Sequence, residues 1–397
     1  MSPIPRLKAY GGPALLSYGF RPFFFFGAIY AGLAILAWLP MFNGELVLST
    51  AFGPIDWHVH EMLYGFLPAV VTGFLLTAIP NWTGRLPIQG MPLLVLVAVW
   101  LAGRVAVTFS AEIGWLSAAI VDVSSLILVV AATAREIVAG KNWRNLRVVA
   151  MVTLLLVGNI AFHLEAHFNG SAEYGARIGI SATVLLLVVI GGRIIPSFTR
   201  NWLARENPGR LPVPFGKFDG AIILLSAAVL ALWVVQPTGR ITAAALAVAG
   251  VLHIVRLARW AGDRTWRDRL VLILHIGYAF VPLGFLLAGA AAIAMVPADA
   301  GTHAWTVGAA GAMTLAVMTR ASLGHTGNAL NASAVTQAIY AAVVIASLAR
   351  IGSSLEPAWS ELLLQISAFT WVVAYFGFAA SFGPLLVSAQ QGKITHT

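Results

Sequence analysis

The chain has no cysteine, and that absence removes disulfides, iron–sulfur clusters, thiolate copper sites and covalently attached c-type haem together. Any metal must therefore be held by histidine, methionine, carboxylate or backbone oxygen. Charge is the second scarcity: only 10% of the 397 residues are charged, against about 25% in soluble proteins. Fifteen Asp/Glu and 24 Lys/Arg are too few to coat a soluble particle of 42.0 kDa. Apolar residues fill the remainder, with 59% of the chain hydrophobic and a mean hydropathy of +0.86. This is the composition of an all-α polytopic membrane protein. The net charge of +9 matters less in such a chain than where the positive residues fall, and nothing reads as a nucleic-acid surface.

A spanning helix needs about 20 mostly apolar residues. Such windows fall near 22–41, 57–80, 91–109, 113–134, 148–168, 177–198, 219–236, 241–257, 269–295, 303–319, 333–349 and 360–387, which predicts twelve spans. Short loops with turn signals, such as Asn43-Gly44 and Asn207-Pro208-Gly209, separate them. They leave no room for a soluble domain, so residues 1–397 form a single integral membrane domain. Arg6 and Lys8 precede the first apolar run with no small-residue cleavage site, so no removable signal peptide is expected.

Orientation follows from the bias of Lys and Arg. With the N-terminus inside, twenty of the 24 fall in cytoplasmic segments, among them Arg21, Arg85, Arg144, Arg193, Arg200, Arg264, Arg320 and Lys393. Only Arg177, Arg240 and Arg350 lie on the opposite side, and Arg104 lies within the third span. The positive-inside rule then places both termini in the cytoplasm. A weak repeat accompanies this pattern: span two ends Ile79-Pro80-Asn81-Trp82-Thr83, span six ends Ile195-Pro196-Ser197-Phe198-Thr199, and span ten ends Met318-Thr319-Arg320-Ala321-Ser322. Three four-helix units in a pseudo-threefold arrangement fit this spacing. So does the bland alternative that polar residues follow any helix end. As a plan, the threefold version resembles the core subunits of haem–copper oxidases, by analogy only.

Topology sorts the nine histidines. His58 and His60 open span two on the outer side, His163 and His167 close span five there, and His303 opens span ten. His253, His275 and His325 belong to the inner half, and His396 to the tail. In Asn159-Ile-Ala-Phe-His163-Leu-Glu165-Ala-His167 two imidazoles stand at i, i+4, on one helical face about 6 Å apart. That is chelating geometry, although an interfacial pair bonded to headgroups or loop carbonyls has the same spacing. In Asp56-Trp57-His58-Val59-His60-Glu61-Met62, Asp56 is a candidate N-cap. His58, Glu61 and Met62 then share a face, with His60 roughly 200° away.

Ionisable residues inside spans are functional candidates by default. Arg104 would suit a haem propionate or a buried carboxylate partner. Glu61 and Asp122 are candidate proton relays, and His275 is equally a candidate ligand and a satisfied core histidine. The outer metal candidates are His58, His60, His163, His167 and His303.

Four stretches together resemble the NnrS family: Arg21-Pro22-Phe23-Phe24, Trp57-His58-Val59-His60-Glu61-Met62, Gly191-Gly192-Arg193-Ile194-Ile195-Pro196-Ser197-Phe198-Thr199-Arg200-Asn201, and Met318-Thr319-Arg320-Ala321-Ser322-Leu323-Gly324-His325-Thr326-Gly327. They occur in the family's order across essentially the whole chain. The resemblance implies a bacterial inner-membrane protein containing haem and copper, associated with nitric oxide stress and denitrification. A cysteine-free, histidine-rich chain suits haem b and His-ligated copper. Two of the family-like stretches fall on the inner side while most histidines are outside, so two sites are as compatible with the pattern as one. Arg193, Arg200 and Arg320 would then anchor propionates or an anion at the inner face, unless they only reflect positive-inside topology.

The leading expectation is an oxidoreductase that reduces nitric oxide, a neutral, lipid-soluble substrate that reaches a buried metal directly. Its electrons would come from a quinol or a docked donor protein. Two alternatives remain: a transporter or metal carrier, with Pro68, Pro282 and Pro384 as helix-breaking candidates, and a sensor or buffer that binds nitric oxide without turnover.

Overall fold

The computed structural model describes residues 10–388; Arg6, Lys8, Lys393 and His396 lie outside them. The described residues are helical with irregular connections and contain no strand, as lipid demands of a backbone that must satisfy its own hydrogen bonds. Eleven helices are long and apolar enough to cross a membrane. We label the helices α1 (Phe20–Phe42), α2 (Pro54–Thr83), α3 (Met91–Thr108), α4 (Trp115–Ala139), α5 (Leu146–Asn169), α6 (Glu173–Glu206), α7 (Lys217–Val235), α8 (Arg240–Ala258), α9 (Arg269–Ala291), α10 (298–325), α11 (Ala334–Leu355) and α12 (Ser360–Val387). α10 is as long as its neighbours and occupies the place of the tenth expected span. Its Gly, Ala and Thr content keeps it below the apolarity of the other eleven.

The apolar windows located every helix, but α2, α6 and α10 run well past them. Their ends carry polar and charged residues and are mostly exposed or half-buried, so hydropathy alone stops short. α2, α6 and α10 share a second feature: each contains a π-helical stretch, at Glu61–Phe66, Leu187–Gly191 and Ala304–Gly311. π turns are rare and concentrate at functional sites. Their recurrence in the second helix of each proposed four-helix unit is a structural counterpart of the sequence repeat.

Sequence neighbours pair most extensively, α3 with α4, α5 with α6, α8 with α9 and α11 with α12, while α1 packs on α12 and brings the two ends of the described chain together. Arg21 secures that closure. Its Nη1 donates to the carbonyls of Leu386 and Ser388 at 2.9 and 2.8 Å, the unpaired carbonyls at the end of α12. The outward surface is apolar, with Leu224 and Phe369 73% and 70% exposed, as lipid contact requires. The helix runs unbroken through Pro282 and Pro384, which removes two of the three proline breaks expected of a carrier; Pro68 directly follows the π turn of α2.

Candidate metal centre

Five helices of the first half converge on a buried polar group. α2 supplies His60 and Glu61, α3 Arg104, α4 Asp122, α5 Asn159 and His163, and α1 adds Tyr30 from the side. His60, Glu61, Asp122 and Asn159 are completely inaccessible to solvent. His60 Nδ1 meets Glu61 Oε1 at 2.8 Å, and its Nε2 lies 3.0 Å from Asn159 Oδ1 and 3.2 Å from Asp122 Oδ2. The other ring reaches the same carboxylate, with His163 Nε2 3.0 Å from Asp122 Oδ2. Asn159 Nδ2 donates to that oxygen at 2.8 Å. Arg104 bridges the two acids, donating to Glu61 Oε2 at 2.7 Å and to Asp122 Oδ1. The Tyr30 hydroxyl donates to Glu61.

Two glycines admit this arrangement. A Cβ at Gly65 would strike the Arg104 guanidinium, and one at Gly103 would lie 3.1 Å from the Asp122 Cα. Phe52 covers the two imidazoles, with ring centroids 5.1 Å from His60 and 5.4 Å from His163.

The charges do not close without one more cation. Two carboxylates face one guanidinium in a buried interior, where an uncompensated charge is very costly. Both ring nitrogens of His60 face acceptor oxygens, so a proton shared by this ring supplies the missing charge. A metal ion would supply it equally well. One ligand atom each from His60, Asp122 and His163 lie within 4.8 Å of one another, and Glu61 on His60 Nδ1 is the carboxylate partner that orients a metal-binding imidazole. Two imidazoles and one carboxylate suit copper, zinc or iron.

The five outer histidines do not form one centre. His167 is exposed and stacks flat on Trp115, centroids 4.0 Å apart, so the i, i+4 pair does not close on one ion. His58 and His303 instead line a central cavity of about 470 Å³ between the units, together with Arg177, Arg350, Trp38 and Trp371. Neither imidazole has a hydrogen-bond partner among the described residues, and His58 Nδ1, His303 Nδ1 and Trp38 Nε1 are buried and unpaired. Face arithmetic on α2 is correct for His58 and Met62, which both line this cavity, but not for Glu61, which turns to His60 and Arg104 where the π stretch begins. Asp56 is not the cap: Gly53 holds that position, with Pro54 and Asp56 inside the first turn.

The family model described as NnrS protein matches residues 14–390. The chain belongs to the NnrS family. Membership associates it with the nitric oxide response, as a multi-pass membrane protein of a family linked to metal and haem binding. No curated protein matches the chain.

The other family-like stretches of this NnrS protein build scaffold. Arg21 holds α12, as described. Gly192 leaves room for Arg256, whose Nε donates to Asp219 Oδ1 at 3.0 Å. Arg256 also donates to the Tyr278 hydroxyl, at 2.9 Å, and that hydroxyl contacts His253 Nδ1; Ser226 faces His253 Nε2. His253 is thus a satisfied core histidine. His275 Nε2 meets Thr199 at 2.8 Å, and His325 packs near Tyr18 and Phe20. Arg193 donates to Asn145 and lies over Trp82, and Arg320 lies over Phe198. None of His275, His325, Arg193 and Arg320 joins the buried group.

The sequence brought out Glu61, Asp122, Arg104, His60 and His163 separately, but not their assembly. It missed Tyr30 and Asn159. Asn159 did carry a signal, because a polar amide one turn before His163 in an apolar helix has to find a buried partner.

Proposed function

We propose that this NnrS protein removes nitric oxide by reduction at a metal ion held by His60, Asp122 and His163. The observation that carries the reading is the buried His–Asp–His group, whose three ligand atoms lie within 4.8 Å of one another. Reduction of two NO to N2O and water consumes two electrons and two protons. In this reading a quinol or a donor protein supplies the electrons. A bound redox metal would supply the electron-accepting, NO-binding character that the side chains lack. The chain's own contribution is orientation and proton handling: Glu61 fixes the His60 ring, Arg104 bridges both carboxylates, and Glu61 and Tyr30 can pass a proton towards the metal. Phe52 and Phe162 pack on the His60 ring and hold it in place.

Haem b fits the central cavity. His58 and His303 offer imidazoles without hydrogen-bond partners among the described residues, the walls are aromatic and apolar, and Arg177 and Arg350 are the cations that propionates would need. Copper fits the smaller His–Asp–His set. We further read the chain as twelve spans with both termini cytoplasmic, in a bacterial inner membrane.

The test is an absorption spectrum and metal count of purified protein, followed by NO consumption with a quinol. We expect haem bands, a second metal that disappears in His163→Ala, and NO loss well beyond the protein concentration that falls in Glu61→Gln. Haem with only stoichiometric NO binding would replace the enzyme by a sensor. A colourless protein that binds cations reversibly would favour a carrier.

A further inference from the structure

No residue of the buried group lines the large central cavity. The group touches a different space. A small cavity of about 140 Å³ is lined by Ala51, Phe52, Ser110, Trp115, His163 and His167, together with Ala166. Its floor is the buried pair His163 and Ser110, and its rim carries the exposed Ala51 and His167. The space is polar enough and large enough for several waters. His167 stands one helical turn beyond His163 on α5, about 6 Å away in side-chain spacing.

We propose that this cavity is the access route by which a metal cation reaches His60, Asp122 and His163 from the outer face, with His167 as the first imidazole it meets. The inference rests on the metal reading above and extends it to how the site is filled. A buried site needs a path as well as ligands. Arg104 closes the group on the α3 side, where a cation would be repelled, and Phe162 and Tyr64 pack on the His60 ring. Among the described residues, the His163 edge of the group borders the small cavity. Trp115 holds the His167 ring at the rim by stacking.

A route and a ligand leave different traces. Removing a ligand lowers final occupancy, whereas narrowing a route slows binding and release by the same factor and leaves occupancy unchanged. The experiment strips the detergent-solubilised full-length protein with a chelator, adds cupric ion alone, and follows copper per chain over time. Release into excess chelator is followed in the same way. Ala51→Trp places a large ring at the exposed rim without touching the core, and His167→Ala removes the rim imidazole. We expect both variants to load and unload several-fold more slowly than wild type, to the same end point. Normal rates at a normal end point in both variants would overturn the route. A wild type whose copper uptake is unaffected by His163→Ala would overturn the metal site itself, and the route with it.

Discussion

At the scale of single residues, Arg104 decides whether the buried group exists. Its guanidinium meets two carboxylates that the bilayer interior could not otherwise hold ionised. Removing one partner of a buried pair strands the others, at a cost of about 3–5 kcal/mol. Arg104→Leu should therefore destabilise strongly, while Arg104→Leu combined with Glu61→Gln and Asp122→Asn should recover much of the loss, because no charge is then unpaired. Thermal unfolding in detergent measures both; equal losses in the single and triple variants would mean that packing and not charge dominates. The cost of these charges is also why they were legible: Arg, Asp and Glu inside apolar windows stand out in a chain so poor in charge. His167 shows the opposite case. Its spacing from His163 is that of a chelate, and only Trp115, 52 positions earlier in the chain, takes the ring elsewhere. No pattern within one helix contains that information.

Helices were legible as elements because their apolar runs are long; their internal irregularities were not. The π stretch Glu61–Phe66 lets His58 face the central cavity while His60 and Glu61 face Arg104. A uniform 3.6-residue period assigns Glu61 to the wrong side. Gly65, inside the same stretch, is where α2 lets Arg104 lie across it. Gly65→Ala puts a methyl group into the guanidinium, and overpacking of this kind costs about 1–3 kcal/mol. The expected outcome is a lower thermal midpoint together with loss of the His163-dependent metal. An unchanged midpoint and full metal content would show that Arg104 has another position open to it. The glycine was visible in the sequence, but its reason lies on α3.

Across the whole molecule, the three long helices with π stretches all line the central cavity, while the His–Asp–His group is drawn from α2, α4 and α5. A second buried polar group, Asp219 on α7, His253 and Arg256 on α8 and Tyr278 on α9, has no pair of imidazoles around a carboxylate, and so the recurrence of π stretches is not a repeat of chemistry. Whether the repeat is complete turns on α10, the least apolar of the twelve helices and one of the most buried. If α10 crosses, the loop at Asn328 lies on the same side as Glu206, and the loop at Glu356 lies with Thr238. If it does not, Asn328 and Glu356 exchange sides. All four positions are exposed, and the natural absence of cysteine makes single Glu206→Cys, Thr238→Cys, Asn328→Cys and Glu356→Cys variants free of background. With a membrane-impermeant maleimide on intact cells, the positive-inside bias predicts labelling at 238 and 356 and protection at 206 and 328. Burial of α10 by its neighbours explains how a span can afford Gly, Thr and Arg320: it meets protein where the others meet lipid. Labelling at 328 with protection at 356 would mean that α10 turns back within the bundle, and the chain would then have eleven crossings and its ends on opposite faces.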